Sequence, residues 1–243
     1  MGFYEELSKY YDIVFEKNNA TVEFLLENLK KHQKVIDLAC GSGTYSIELA
    51  KNKMKVLGID LDLDMINLAK KKSDKLENVN FVCENMMNLK NIAKGEYSSI
   101  FCIGNSLVHI TDRETIKALF KDIHDVLEPQ GELIVQIINY DRIIKYNVDH
   151  LPTIKRDKEA LEFIRKYDYN KEEDLVYFNS ELIIGNEENH RYENTVTLLP
   201  LRKDELELML LDIGFSHMEF YGGFNKIPYN DKAYATVVRA RKI

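Results

Sequence analysis

The chain has 243 residues, 45% of them hydrophobic, and a formal net charge of −7. That length allows one large domain or a domain with an appended subdomain, and the hydrophobic share is that of a globular protein with a real core. The acidic balance is a poor match for phosphate backbones, which argues against nucleic acid as a partner, and no stretch is apolar enough to span a membrane.

Residues 1–32 read as helical, with Val22, Leu25, Leu26 and Leu29 recurring at helical spacing. Strand and helix then alternate. Strands are expected at about 34–39, 55–60, 79–83, 98–103 and 132–139, and helices near 44–52, 62–74 and 112–127. The last helix is the best defined. Thr111-Asp-Arg-Glu114 has the form of a capping box, Ile116, Leu119, Phe120, Ile123, Val126 and Leu127 make the apolar face, and Pro129-Gln-Gly131 is read as its stop. Such alternation implies a parallel sheet covered on both faces.

After Asn139 the pattern changes. Residues 140–165 are polar with irregular helical character, while 174–184 and 191–199 read as strands joined by the turn Gly185-Asn-Glu-Glu. A final helix at about 202–213 carries Leu206, Met209, Leu210 and Ile213 and stops at Gly214. Two strands follow, near 216–222 and 233–241. The lysine runs at 30–31 and 70–72 read as solvated helix faces. Cys40, Cys83 and Cys102 lie in or beside expected strands and lack metal-ligand spacing, so buried free thiols in a reducing cytoplasm are the expectation. Met1-Gly-Phe-Tyr-Glu-Glu does not read as a signal peptide, and no metal site is evident.

The chemistry concentrates at Lys34-Val-Ile-Asp-Leu-Ala-Cys-Gly-Ser-Gly-Thr44, followed by Gly58-Ile-Asp60. A short buried strand runs into a glycine turn and a helix start, and the next strand ends in a carboxylate. Glycines without a Cβ let backbone approach a ligand, the helix start offers unpaired N–H groups, and Asp60 is placed to accept ribose hydroxyls. Together they describe a nucleoside-containing cofactor across the carboxyl ends of parallel strands. A dinucleotide fingerprint would want a third glycine where Ser46 stands.

Asp37-Leu-Ala-Cys-Gly-Ser-Gly43 resembles the first motif of the class I S-adenosylmethionine-dependent methyltransferases, with Ala39 where many members have glycine. Gly104-Asn-Ser-Leu-Val-His109, with Asn139-Tyr-Asp141, resembles corresponding segments of the glycine and sarcosine N-methyltransferases. This likeness covers about residues 35–145 well and the remainder by layout. It implies an α/β, Rossmann-like doubly wound sheet of seven strands, the last antiparallel, with a small antiparallel insertion after strand five. Residues 1–139 and 200–243 would form the cofactor-binding core with its N-terminal helical cap. Residues 140–199 would form an inserted lid or substrate subdomain, or alternatively a surface stabilising a homodimer.

The resemblance also implies roles. Ala39, Gly41 and Gly43 would pass the amino-acid end of S-adenosylmethionine and Asp60 its ribose. Leu61 and Met65 would touch ribose and adenine, Asn85 and Met86 the adenine, with Ile103 and Ser106 beside the cofactor. Asn105 would orient the acceptor, and His109 would line the cofactor or acceptor side, unless it only caps the following turn. Tyr11-Asp-Ile-Val-Phe15 resembles a segment that closes over the cofactor in small-molecule methyltransferases, which makes Tyr4 and Tyr11 candidates for its carboxylate or methionine portion. Tyr140, Tyr177 and Tyr192 are candidates for the acceptor pocket. One departure stands out. The family carries an arginine for the substrate carboxylate just before Asn-Tyr-Asp, and Ile138 stands there, leaving Arg142, Arg156 or Arg191 to reach in. The expected activity is methyl transfer to a small molecule, at an amine nitrogen. Transfer to oxygen or carbon, and cofactor binding without catalysis, are the alternatives.

Overall fold

Val35, Ile36 and Leu38 are fully buried because their strand has a partner on each side and apolar cover on each face. Ile36 and Leu38 feed a cluster with Ile100, Ile116 and Phe120, while Val35 faces the other way, toward Phe24, Leu49 and Phe101. Period-two alternation in a doubly covered strand produces this split.

The computed structural model describes residues 2–185 and 190–243. Helices α1 (Phe3–Val14) and α2 (Asn19–Leu26) precede β1 (Lys34–Leu38), α3 (Thr44–Lys51), β2 (Lys55–Asp60), α4 (Leu63–Lys72) and β3 (Val79–Cys83). Then come α5 (Leu89–Ile92), β4 (Tyr97–Cys102), α6 (Arg113–Val126), β5 (Leu127–Ile138) and α7 (Tyr140–Lys145). Four further strands follow: β6 (His150–Arg156), β7 (Leu161–Asn170), β8 (Leu175–Ile184) and β9 (His190–Leu198). The chain closes with α8 (Lys203–Ile213), β10 (Phe215–Tyr221) and β11 (Ala235–Lys242).

The main sheet has the order β10-β11-β5-β4-β1-β2-β3, and β6-β7-β8-β9 form a second sheet. In the main sheet β11 runs antiparallel to both of its neighbours, and the pairs from β5 to β3 are parallel. Strand order reverses between β1 and β4, so the crevice for a ligand opens at the carboxyl ends of β1, β2, β4 and β5. Among the described residues no helix is long and apolar enough to cross a membrane.

Several expectations are corrected. Residues 150–170 are two strands rather than irregular helix, so the second sheet has four strands where a hairpin was expected. Strand β5 begins at Leu127, directly after α6, so Pro129-Gln-Gly131 is a kink inside the strand, with Gln130 at φ 66°. The register against β4 shifts between Tyr97 and Ser99 to absorb it. Helix α6 is capped by Asp112, whose carboxylate accepts the Thr115 amide at 2.8 Å, rather than by Thr111. Helix α2 ends before Leu29. Cys83 is exposed on the edge strand, whereas Cys102 is buried. Three residues of the expected turn, 186–188, lie outside the described residues.

Candidate active site

The turn after β1 holds three residues with left-handed backbones, Ala39 (φ 59°), Gly41 (φ 53°) and Gly43 (φ 74°). Gly41 lies under α1: a Cβ there would come 3.2 Å from the Tyr11 hydroxyl. Gly43 has a different reason for being glycine, since a Cβ would lie 2.6 Å from the Phe81 ring and 2.9 Å from Ala69. It is needed for α3 to pack against β3 and α4, not for the approach of a ligand. Ala39 stands in a conformation that favours glycine, which accounts for the residue type the resemblance places there.

Two carboxylates converge on this turn. Asp60 Oδ2 accepts the Gly41 amide at 2.7 Å and Oδ1 the Asp62 amide at 2.9 Å. Each oxygen keeps a lone pair for ribose hydroxyls. Burial raises the Asp60 pKa against the pull of these amides. Asp37 is fully enclosed, held by the Ser46 hydroxyl at 2.6 Å, and its pKa is pushed up to about 7 by burial, with Asp60 adding to the rise. Burial likewise raises the Cys102 thiol to about 12 and raises the Tyr11 phenol as well.

Helix α1 lies across the turn. Asp12 accepts from Ser42 Oγ at 2.5 Å, Thr44 Oγ1 at 3.1 Å and Lys72 Nζ at 2.6 Å. Burial opposes ionisation of Asp12, but these hydrogen bonds hold its pKa below the usual range. The run at 70–72 is exposed as expected, and Lys72 at its end also ties α4 to α1 and the glycine turn. Tyr11 sits over Gly41, whereas the Tyr4 hydroxyl is engaged by Asn194 Nδ2 of β9 at 3.0 Å. Arg156 Nε donates to the Ile13 carbonyl at 2.8 Å and ties the end of α1 to β6.

Of the residues expected near ribose and adenine, Leu61 is exposed just past β2 and Met65 is buried in α4. Asn85 caps the turn after β3, its Oδ1 accepting the Met87 amide at 2.9 Å, and Met86 is half-buried against the core. Beyond β4, Ile103 is buried and Ser106 Oγ donates to its carbonyl at 3.2 Å. The Gly104 amide donates to Gln136 Oε1 at 2.7 Å, which pins this turn to β5.

Asn105, at φ 69°, bridges the ends of β4 and β5: Oδ1 accepts the Ile138 amide at 2.9 Å and Nδ2 donates to the Tyr140 hydroxyl at 3.1 Å. The residue that stands where an arginine was sought thus supplies backbone to fix Asn105. His109 is exposed on the turn after β4, with a pKa lowered by partial burial of its ring. Among the tyrosines offered for an acceptor pocket, Tyr140 is buried beneath Asn105 and Tyr192 packs in the cluster with α1. Tyr177 is on the opposite face of the inserted sheet, bonded to Glu173. The three proposed arginines do not converge either. Arg142 stacks on Tyr234 at 4.3 Å, Arg156 holds α1, and Arg191 pairs with Glu181. Among the described residues no three His, Cys, Asp or Glu side chains are grouped to hold a metal.

Known proteins share this fold. Residues 35–131 match the family described as a methyltransferase domain. A glycine/sarcosine N-methyltransferase of Halorhodospira halochloris is 26% identical over 230 residues, covering 93% of this chain and 82% of that protein. An S-adenosylmethionine-dependent methyltransferase from Clostridium acetobutylicum superposes with a TM-score of 0.82 at 18% identity, over 98% of each chain. An amino pentose methyltransferase from Micromonospora echinaspora, solved with S-adenosylmethionine bound, superposes with a TM-score of 0.73 at 13% identity, over 100% of this chain and 98% of that one.

Proposed function

We propose that this chain, a class I S-adenosylmethionine-dependent methyltransferase, delivers the methyl group to the amine nitrogen of a small molecule. The observation that carries the nitrogen assignment is the setting of Asn105. Its amide is locked in place, with Oδ1 accepting the Ile138 amide and the Tyr140 hydroxyl within reach of both amide heteroatoms, so it is a fixed, neutral polar group at the ends of β4 and β5. Such a group positions an acceptor but does not deprotonate an alcohol. A neutral amine brings its own lone pair and needs no base before attack. The similarity to glycine/sarcosine and amino pentose methyltransferases supports the same reading.

The bound cofactor supplies a methyl group activated on a sulfonium. The chain's part is placement. Asp60 takes the ribose hydroxyls, and Gly41 leaves room beneath Tyr11. Leu61, Met65 and Met86 offer apolar surface to the adenine, with Asn85 at its edge. Asn105 aims the acceptor, while α1 and the inserted sheet cover the crevice and exclude water. Holding reactants in attack geometry is worth about 7–11 kcal/mol of barrier. The proton leaves the product amine to solvent.

Calorimetric titration with S-adenosylmethionine, on wild type and Asp60→Ala, followed by a screen of amines and alcohols with labelled methyl, tests this. Binding that collapses in the variant, with label on an amine, is the expected result. Binding with label only on oxygen or carbon would end the nitrogen assignment. Binding with no turnover of any acceptor would favour a sensor.

A further inference from the structure

The inner face of the inserted sheet is apolar at both ends and polar across its middle. Toward α1, Phe163 of β7 and Leu182 of β8 pair in register and pack with Leu7, Val14 and Tyr192. Toward the main core, Tyr167 pairs with Phe178, and both pack in the cluster that contains Tyr140. Between these, Arg165 of β7 lies opposite Ser180 of β8, which lies opposite Asn194 of β9. Period-two alternation directs this polar row inward with its apolar neighbours.

Arg165 is only partly satisfied by the protein, its guanidinium standing 5.7 Å from the centroid of the Phe163 ring. One terminal nitrogen donates to the Pro152 carbonyl at 2.8 Å, but its Nε is buried with no hydrogen-bond partner. No carboxylate lies within ion-pair distance of it among the described residues. The Tyr167 hydroxyl is also buried without a partner, in a side chain that is 5% exposed, and it feels the charges of Arg165 and Arg142. A shielded guanidinium with an idle donor, beside an idle phenol, is costly unless an anion completes it. Guanidinium and hydroxyl together match one carboxylate-sized anion.

We infer that Arg165 and the Tyr167 hydroxyl form the anchor for an acidic group on the acceptor, making the substrate an amine that carries one anionic group held by the inserted sheet. This inference rests on the amine reading above. It moves the anion-binding role from the end of β5, where Ile138 stands, to β7, with Tyr140 and Asn105 on the core side of the anchor.

The test separates the anchor from the amine assignment. Protein labelled with ¹⁵N-arginine and saturated with S-adenosylhomocysteine is titrated with acetate, methanesulfonate, inorganic phosphate and the neutral control acetamide. The Arg165 Nε signal, assigned by its loss in Arg165→Lys, should shift with acetate and not with acetamide. Response to phosphate alone would reassign the group to a phosphate ester and overturn the carboxylate match. Response to none, or equally to acetamide, would overturn the anchor. In turnover assays with amino acids and their carboxamides, Arg165→Gln should raise KM for the acid at least about tenfold. Arg165→Lys should recover part of that loss, and Tyr167→Phe should show a smaller rise. Unchanged cofactor affinity in each variant establishes that the fold survives. An intact spectroscopic response with no methylated amine would overturn the amine assignment and leave the anion site standing.

Discussion

Lys72 Nζ lies 2.6 Å from Asp12 Oδ2, joining the last turn of α4 to α1 directly beside the glycine turn. The same ammonium reaches Ser42 Oγ at 3.1 Å and Thr44 Oγ1 at 3.3 Å, so a single cation organises both the helix that covers the site and the loop it covers. The lysine side chain is 28% exposed and the aspartate 41%, so the pair contributes little to global stability, roughly 0–1 kcal/mol. Its effect should fall on closure. Lys72→Met is expected to weaken S-adenosylmethionine binding by about fivefold, on the order of 1 kcal/mol, with little change in melting temperature. Calorimetry beside thermal denaturation checks this, and unchanged affinity would mean that α1 does not close on the cofactor.

The glycine turn makes opposite predictions at two neighbouring positions. Gly43→Ala should destabilise the fold by about 1–3 kcal/mol, because its Cβ meets the Phe81 ring and Ala69 in a packed interior at a left-handed backbone position. Ala39→Gly should be neutral or stabilising by up to about 1 kcal/mol, because it removes a Cβ from a left-handed residue at some cost in chain entropy. Urea denaturation of the two variants decides between them. A neutral Gly43→Ala would show that Phe81 can move aside.

The core of the fold was legible because its signals are local. Val35, Ile36 and Leu38, the turn glycines and the apolar stripe of α6 each show periodicity or punctuation within a few residues. The second sheet was obscured because β6 is an exposed edge strand with Pro152 in it. Strand β7 carries Arg165 on its inner face, so a charge interrupts the alternation of Leu161, Phe163 and Tyr167 that would have marked a strand. Arg165 was not among the arginines the sequence suggested, Arg142, Arg156 and Arg191, because residues 140–165 read as polar and irregular rather than as strand. Lys72 was hidden in a lysine run because nothing local distinguishes a lysine that reaches Asp12 from two that do not.

Asp37 predicts a pH dependence of stability. Its pKa is 3.8 for a free side chain and about 7 in the fold, raised by burial and then by Asp60. Below about pH 4 the carboxyl is protonated in both states and carries no penalty. As pH rises toward 7 the unfolded chain releases the proton and the folded chain retains it, so this group progressively destabilises the fold, with the full penalty above 7. Asp37→Asn keeps the shape and removes the ionisation. It should flatten the fall in stability between about pH 4 and 7 and raise the melting temperature at pH 8 relative to wild type. Parallel melting curves for wild type and variant at pH 8 would place the Asp37 proton elsewhere.

Asp174 predicts the reverse sign at acid pH. It sits where β7 turns into β8, with Oδ1 2.7 Å from Arg202 Nη2, Oδ2 2.7 Å from Arg113 Nη2 and the Tyr169 hydroxyl at 2.9 Å. Arg202 precedes α8 and Arg113 begins α6, so one carboxylate joins the inserted sheet to two helices of the core. The hydrogen bond from Arg202 leads the effects that hold its pKa at about 2, against 3.8 unperturbed. Its contribution is therefore present above about pH 4 and lost as pH falls through 2, the usual sign for a paired carboxylate. The group is about a third exposed, so solvent screening limits the gain to roughly 1 kcal/mol. The local effect should exceed the global one. Asp174→Asn is expected to speed amide hydrogen exchange in β7 and β8 while leaving β1 and β4 protected, because the tie it weakens lies between the two sheets and not within either. Uniform protection across both sheets would mean that the insertion is held by its apolar clusters alone.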